Sequence, residues 1–334
     1  MEKTAFSIRE DKMAVQEFYV NVIFRSLECM GYKCKFYDSI SDSLVEPKDS
    51  VYVSISHYST ARMYLKGYKN IIYWIQGSSP DESFMRNHSY IRKIIISCIE
   101  YFALSKAKYL FMVSKSMLKH FKNKYHKDYS DKTYIMPCYN SEINQELFFT
   151  PGKYENNTFC YVGGLSVWQC FQETIELYSK IEERVPNVKL KIFTSEQTKA
   201  KAILENNRVK NYEVKYVKPD QLVNELASCK YGFIIRAKSP VNYVATPTKL
   251  SNYMAAGLIP IVSNSVGFFE EILGNTKNAI VLDGKDDLNK IIEFTGKSIN
   301  SDCVYQEFFS LFDKFYNTNK HIDEIAEKLK TIRL

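Results

Sequence analysis

The chain of 334 residues lacks the motifs of several large enzyme classes. It contains no Walker A motif, no GxGxxG after a strand, no GxSxG and no HExxH. These patterns hold phosphates, dinucleotides, a serine nucleophile or zinc, so their absence argues against kinase, dehydrogenase, serine-hydrolase and zinc-protease functions. A DxD triad is also missing, which argues against a transferase that depends on Mg²⁺ or Mn²⁺. We therefore expect no metal cofactor.

The chain also lacks paired cysteines and long apolar runs. Its eight cysteines are scattered, without a CxxC pair or a Cys/His cluster at zinc-site spacing, which is typical of free thiols in a reducing compartment. The stretch MEKTAFSIREDK has no apolar signal-peptide core, and no apolar run approaches the roughly 18 residues that span a bilayer. We expect a cytoplasmic protein, which can lie peripherally at the inner membrane face.

What is present is an ordinary folded composition, with 45% hydrophobic and 25% charged residues. The length is comfortable for two domains. The net charge of +7 is concentrated between Arg86 and Lys132, which holds eleven basic and three acidic residues. Such a stretch can meet anionic lipid headgroups, or it can be a solvated helix face. Nucleic acid is a weaker candidate partner, because no known nucleic-acid motif accompanies the charge.

Short apolar strands alternate with longer helices along both halves of the chain, which indicates parallel sheets covered by helices. One long helix is predicted from Asp81 to about Lys106, and the tail from Val304 is predicted to be helical. We predict an N-terminal Rossmann-like domain at 1–145, a linker at 146–158, a second Rossmann-like domain at 159–303 and a helical tail at 304–334, which can pack back on the first domain. Two such domains are expected to face a cleft that encloses a substrate.

The stretch TPTKLSNYMAAGLIPIVS, residues 246–263, predicts a helix with Thr246 as its N-cap, Pro247 in its first turn and Gly257 at its end. The apolar runs before and after it, YGFIIR at 231–236 and LIPIV, predict two parallel strands. A helix that starts at the carboxyl edge of a parallel sheet presents its N-terminus to ligands and favours anions. We therefore expect this helix to bind a phosphate ester.

At this point the sequence resembles the GT-B glycosyltransferases, and in particular the retaining family 4. The resemblance lies in FCYVGGLSVWQ (159–169), a strand that ends in a glycine turn, and in YMAAGLIPIVS (253–263). YWIQGSSPDES (73–83) resembles the turn with which bacterial polysaccharide members line the cleft. The convincing part covers residues 158–285.

The resemblance implies transfer of a sugar from a UDP-, GDP- or CMP-sugar donor to a hydroxyl of a glycan or lipid-linked acceptor, with retention. It further implies synthesis of capsule, O-antigen or another surface polysaccharide. The two glutamates usual in the family, eight residues apart, are replaced here by Val244 and Asn252, and the basic pair after the glycine turn is missing. A catalytically silent subunit of an assembly complex and a sugar-nucleotide epimerase therefore stay open as alternatives.

The site residues follow from strand ends and from the resemblance. Arg236, Lys249 and the first-turn amides of Thr248 and Lys249 are expected to stabilise the leaving diphosphate. Further donor-binding candidates are Gly163, Gly164, Ser166, Gln169, Pro247 and Asn252. In the first domain we expect His57 and Glu82 to have catalytic roles and Gln76, Gly77 and Glu82 to lie on the acceptor side. Each also has a structural interpretation, such as a satisfied polar histidine or a first-turn helix carboxylate.

Overall fold

The computed structural model describes residues 3–9 and 14–332, and the chain divides into two compact units. The first unit consists of Met1–Cys138 and Asn317–Leu334, and the second of Tyr139–Tyr316. Within the described residues each unit holds one parallel sheet of six strands with helices packed on it. The predicted α/β class, with two parallel sheets and C-terminal helices, is confirmed. The domain limits given above remain a prediction.

The first unit alternates strands and helices along the chain. Its strands are β1 (Thr4–Ile8), β2 (Lys33–Tyr37), β3 (Val51–Ser54), β4 (Ile71–Ile75), β5 (Tyr109–Met112) and β6 (Thr133–Ile135). Its helices are α1 (Ala14–Glu28), α2 (Ile40–Ser43), α3 (His57–Leu65), α4 (Ser79–Asn87), α5 (Tyr90–Lys106), α6 (Lys115–Tyr125) and, from the end of the chain, α15 (Thr318–Thr331). The sheet order is β2-β1-β3-β4-β5-β6. Every residue of the central strands β3, β4 and β5 is buried, as expected for strands with helices on both faces.

The second unit repeats this plan. Its strands are β7 (Thr158–Val162), β8 (Lys189–Phe193), β9 (Tyr212–Lys215), β10 (Tyr231–Ile234), β11 (Ile259–Ser263) and β12 (Ile280–Leu282). Its helices are α7 (Phe171–Arg184), α8 (Gln197–Asn206), α9 (Leu222–Leu226), α10 (Pro240–Val244), α11 (Thr248–Ala255), α12 (Gly267–Leu273), α13 (Asp287–Thr295) and α14 (Ser301–Phe315). The sheet order is β12-β11-β10-β7-β8-β9.

The strand order of each sheet reverses at one place, between β1 and β3 in the first unit and between β7 and β10 in the second. In the second unit, β8 and β9 follow β7 toward one edge of the sheet, and β11 and β12 follow β10 toward the other edge. Helices therefore diverge from these two strands, and a crevice forms beyond their carboxyl ends. The segments that follow β7 and β10 are the places where this fold holds a ligand.

The predicted single helix from Asp81 to Lys106 is wrong, because the structure has two helices there. Helix α4 ends at His88, whose backbone lies in the left-handed region at φ 52°. Ser89 then starts α5 by accepting a hydrogen bond from the backbone N–H of Arg92. A left-handed residue followed by a serine cap stops one helix and starts the next. The apolar spacing alone did not show this break.

The predicted N-cap role of Thr246 is also wrong. Helix α11 begins at Thr248, its N-cap is Pro247, and no side chain caps it. The predicted end is confirmed, since Gly257 has φ 72° and the N–H of Leu258 donates to the Tyr253 carbonyl at 2.8 Å. A local hydrogen bond therefore fixes the end of α11, whereas no side chain caps the N–H groups of its first turn.

The C-terminal helix α15 packs with α1 inside the first unit. The hydroxyl of Tyr134, on β6, lies 2.8 Å from Nδ1 of His321 and donates to a Glu324 carboxylate oxygen at 2.8 Å. These bonds fix α15 to the edge of the first sheet. The last helix therefore completes a unit that begins three hundred residues earlier in the chain.

Candidate functional site

The turn after β7 adopts a conformation that only glycine takes readily. Gly163 has φ 112°, and its N–H donates to the Phe193 carbonyl at 2.9 Å. A Cβ placed on Gly163 would lie 3.0 Å from Cε of Lys249. The bare backbone thus lets the α11 lysine approach the turn, and the structure brings these two predicted residues together.

Lys249 lies under this turn and is buried, although a lysine in a first helical turn commonly points into solvent. Its Nζ lies 3.9 Å from the centre of the Tyr161 ring. Tyr161, on β7, in turn donates its hydroxyl proton to the Gly164 carbonyl at 2.7 Å. The ammonium group and the turn are therefore supported by the same aromatic ring.

Arg236 follows β10, the strand on the other side of the point where the sheet order reverses. Its backbone N–H donates to Oγ of Ser263, and its carbonyl accepts from Ser263 and Ser265, at 2.8–2.9 Å. Its Nη1 donates to the carbonyl of Trp168, in the segment after the glycine turn, at 2.7 Å. The arginine side chain therefore reaches from the end of β10 to the loop that follows β7.

Among the residues that the structure describes, the two cations are buried without an acid that balances them. Each residue is only 7% exposed, and no described carboxylate is among the groups that shift either pKa. Burial lowers the pKa of Arg236, and burial together with the Arg236 charge holds the pKa of Lys249 well below its ordinary value. Nε of Arg236 has no hydrogen-bond partner among the described residues. Since an unpaired buried cation is costly, this arrangement is suited to an anion from solution.

The start of α11 adds donors to the same place. The amides of Thr248 and Lys249 belong to the first turn, for which a helix has no acceptor of its own. The structure leaves Pro247 and Thr248 half-buried. Asn252, one turn later, is buried, and its Oδ1 accepts from the Ser141 hydroxyl at 2.6 Å. Its predicted contact with a ribose or sugar hydroxyl remains a prediction.

Three other predicted residues lie on the loop after β7. Gly164 and Ser166 are exposed, and the Ser166 carbonyl accepts from the N–H of Gln169 at 2.8 Å. Oε1 of Gln169 is buried without a partner among the described residues. An unpaired buried acceptor is suited to a hydroxyl or amide donor of a ligand.

Sequence reasoning missed two residues that shape this turn. The ring of Tyr161 contacts the Lys249 ammonium group, and a Glu196 carboxylate oxygen accepts from the N–H of Leu165 at 2.6 Å. Both could have been found. Tyr161 precedes Gly163 by two residues and so shares its face of the strand, and Glu196 lies just past the carboxyl end of β8.

The predicted residues of the first unit lie after β3 and β4. His57 is the first residue of α3, is 7% exposed, and its Nε2 has no partner among the described residues. Gln76 and Gly77 follow β4, and a Cβ on Gly77 would clash with Oε1 of Glu82. The structure thus places Gly77 and Glu82 in contact.

A network of buried charges surrounds these residues, and the sequence reasoning missed it. Asp81 is bound by Lys93 at 2.8 Å, and Glu100 is bound by Lys124 at 2.8 Å. The Lys124 charge also contributes to the lowered pKa of His57. Lys124 therefore links the helix after β5 to the histidine that follows β3.

The pKa of Glu82 is raised, chiefly by burial. The neighbouring carboxylates of Glu100 and Asp81 add to this rise, whereas Arg86 opposes it. A carboxyl group whose pKa is raised exchanges protons closer to neutral pH than an ordinary glutamate does. This property fits the predicted catalytic role of Glu82 and does not test it.

We predict that His57 makes the protein less stable in acid. Burial, and secondly the charge of Lys124, lowers the pKa of His57 to about 4, from 6.5 in the unfolded chain. Between these values the unfolded chain binds a proton that the folded chain does not, so stability falls as the pH falls from about 6.5 to 4. The loss amounts to about 3 kcal/mol at most.

The measurement is urea unfolding of the wild type and His57→Gln across this range. The variant should lose that part of the slope, and parallel curves would contradict the assignment.

The fold of the chain is shared with solved structures of known proteins. The structure is similar to a sucrose-phosphate synthase from Thermosynechococcus elongatus, with a TM-score of 0.73, 10% identity and 98% of both chains covered. It is similar to Anabaena HepE in complex with UDP, with a TM-score of 0.69 and 11% identity over 98% of this chain and 100% of that one. The E. coli trehalose-6-phosphate structure bound with UDP-2-fluoro glucose gives a TM-score of 0.66 at 10% identity over 98% of each chain. At such low identity these likenesses show the fold alone, which is the GT-B fold.

One family model matches within the second unit. Residues 143–296 match the model of the family described as Glycosyl transferases group 1. The matched segment contains Gly163, Arg236 and Lys249. No curated protein sequence matches the chain.

Proposed function

We propose that the protein transfers a sugar from a nucleotide-sugar donor to a hydroxyl of a glycan or lipid-linked acceptor. The observation that carries this proposal is the pair of buried cations, Arg236 and Lys249, beside the Gly163 turn. They lie in the segment that matches the Glycosyl transferases group 1 model and have no described carboxylate among the groups that shift their pKa values. A nucleoside diphosphate supplies the negative charge that such a site lacks.

The same groups account for the chemistry. When the bond between the sugar and the diphosphate breaks, negative charge grows on the leaving phosphate oxygens. The Arg236 guanidinium, the Lys249 ammonium and the first-turn amides of α11 are already oriented and withdrawn from water, so they stabilise this charge better than water does. We propose that these groups make a metal ion unnecessary and that transfer proceeds with retention, in the hexosyltransferase manner of the resembling family.

We assign the donor to the second unit and the acceptor to the first. UDP is the first nucleotide to test, because Anabaena HepE is in complex with UDP and the E. coli structure is bound with a UDP sugar. His57, Gln76, Gly77 and Glu82 are the proposed acceptor-side and catalytic residues. The acceptor is proposed to be a growing bacterial surface polysaccharide, such as a capsule or O-antigen, attached to a lipid.

One observation favours a second candidate, a donor-binding subunit without catalysis. The positions of the two family glutamates hold Val244, which is fully buried, and Asn252, whose carbonyl oxygen is bound by Ser141. No carboxylate can therefore reach the donor from either position. Such a protein would bind a nucleotide sugar without cleaving it.

Incubation with UDP-, GDP- and CMP-sugars tests the proposal. The readouts are the shift in melting temperature and the slow release of free nucleotide, each with and without EDTA. A transferase is stabilised by one donor and hydrolyses it slowly, and we expect UDP sugars to act and EDTA to have no effect. Stabilisation without release would identify the silent subunit, and interconversion of the sugars would identify an epimerase. No shift with any donor would overturn the nucleotide-sugar assignment.

A further inference from the structure

Helix α5 of the first unit exposes a row of large apolar side chains. Tyr90, Ile91, Ile94 and Ile95 are 70%, 74%, 63% and 55% exposed, and Tyr101 continues the row. The opposite face of the same helix is buried in the unit through Ile96, Ala103 and Leu104. Three exposed isoleucines within five positions form a contiguous apolar patch, which a soluble surface rarely presents without a partner.

Cations line the same surface. A groove of about 630 Å³ lies between α5 and α6, and both helices contribute to it. Its walls include the apolar Ile94 and Tyr101 together with Lys93 and Lys124. The exposed Lys119 of α6 and Lys127, just after that helix, add positive charge beyond the groove, whereas Lys122 is paired with Asp128.

This surface carries a net positive charge, although Lys93, Lys122 and Lys124 are paired with Asp81, Asp128 and Glu100. Residues 90–127 contain nine lysines and arginines and one acid, Glu100. Glu100 is 1% exposed and is bound by Lys124 at 2.8 Å and by the Tyr125 hydroxyl at 2.6 Å, so it adds no negative charge to the surface. A partner must therefore be apolar where it meets the isoleucines and negative around them.

We propose that this surface, formed by the exposed residues of α5 and α6, binds the face of an anionic lipid bilayer. Isoleucines enter the acyl boundary, tyrosines prefer the level of the headgroups, and lysines contact lipid phosphates while their alkyl stems lie on the apolar surface. A second copy of the chain is a poorer partner, because its matching surface would bring like charges together. No helix among residues 3–9 and 14–332 is long and apolar enough to cross a membrane, so the contact is with the membrane face.

This inference deepens the proposed function, since it places the acceptor-side unit at a membrane that carries lipid-linked acceptors, and to that extent it rests on that function. The binding itself needs no donor. Membrane binding and donor binding can therefore be measured separately on the same protein.

The test is sedimentation with vesicles of phosphatidylcholine alone and of phosphatidylcholine mixed with phosphatidylglycerol. The full chain should bind the phosphatidylglycerol vesicles, and high salt should weaken the binding because the lysine contribution is screened. A triple variant, Ile91→Ser, Ile94→Ser and Ile95→Ser, should bind at least about tenfold more weakly with its net charge unchanged. Val45→Ser is the control, because Val45 belongs to the same unit, is 77% exposed and lies outside α5 and α6. It should bind as the wild type does.

The melting temperature of the triple variant should stay near that of the wild type, because the replaced side chains are exposed. The inference would be overturned if the wild type did not bind phosphatidylglycerol vesicles, or if the triple variant bound them as strongly as the wild type does. Dimerisation of the free protein that disappears in the triple variant would identify a second copy as the partner and would also overturn it. Retained UDP binding without vesicle binding would refute this inference alone, whereas vesicle binding without nucleotide binding would refute the proposed function alone.

Discussion

Replacement of Lys249 by methionine should weaken nucleotide binding and at the same time stabilise the free protein. The loss of one charge-assisted contact to phosphate corresponds to about 1.5–3 kcal/mol, or roughly 10- to 100-fold in affinity. Stability should rise because the pKa of Lys249 in the fold lies well below that in the unfolded chain. At neutral pH the unfolded chain therefore binds a proton more readily than the folded chain does, and this disfavours folding. Calorimetric titration with UDP and urea unfolding measure the two effects.

Lys230→Met is the matched control for this experiment. Lys230 belongs to the same unit and is 2% exposed, and burial lowers its pKa as well. It precedes β10, whereas the proposed site follows that strand, and its Nζ donates to Asn157 at 3.2 Å. The control should bind UDP as the wild type does. Equal loss of binding in both variants, or a less stable Lys249→Met, would contradict the account of an unbalanced cation at the donor site.

Replacement of Gly163 by alanine should disturb the site in two ways, by straining the turn and by displacing Lys249. At φ 112° an alanine is strained by about 1–3 kcal/mol, and its Cβ would come within 3.0 Å of Cε of Lys249. Since Lys249 must move to make room, Gly163→Ala should lose UDP affinity by at least about tenfold as well as stability. Urea unfolding and UDP titration of the variant give the two values.

Gly284→Ala separates backbone strain from displacement of the lysine. Gly284 also has a left-handed backbone, at φ 84°, but a Cβ there meets nothing within 4 Å. This control should lose stability and keep its UDP affinity. If both glycine variants keep full affinity, the contact between the Gly163 turn and Lys249 has no part in nucleotide binding.

The strands were predictable because burial on both faces leaves a plain signal in the sequence. The run YGFIIR, predicted as a strand at 231–236, contains the central strand β10, and the equally apolar IIYWI forms the central strand β4. The helix breaks were not predictable in this way. The stop at His88 depends on a left-handed backbone, and the start of the separate short helix α10 depends on the Ser239 cap. Local hydrogen bonds decided these boundaries, and apolar spacing does not report them.

The candidate site was predictable in position and much less so in chemistry. Parallel strands place their carboxyl ends at one edge, so the end of β10 and the start of α11 already indicated Arg236 and Lys249. Sequence could not show that both would be buried without an acid, because burial depends on Tyr161 and on the loop that follows β7. The polar network around Lys124 was missed for the same reason, since its members come from four separate helices.

Donor binding is expected to raise the pKa of Lys249. In the free site, burial and the Arg236 charge both disfavour the ammonium form of Lys249 and lower its pKa. A diphosphate opposes this shift, since an adjacent negative charge raises the pKa of an amine. The ligand thereby offsets part of the cost of a buried charge.

The account depends most directly on where a diphosphate lies when it binds. A crystal structure of the protein with UDP measures this. The account predicts phosphate oxygens within hydrogen-bond distance of Nζ of Lys249 and the guanidinium of Arg236, above the Gly163 turn and the first amides of α11. A diphosphate bound elsewhere, with these two side chains still buried against Tyr161 and Trp168 as in the free protein, would contradict it.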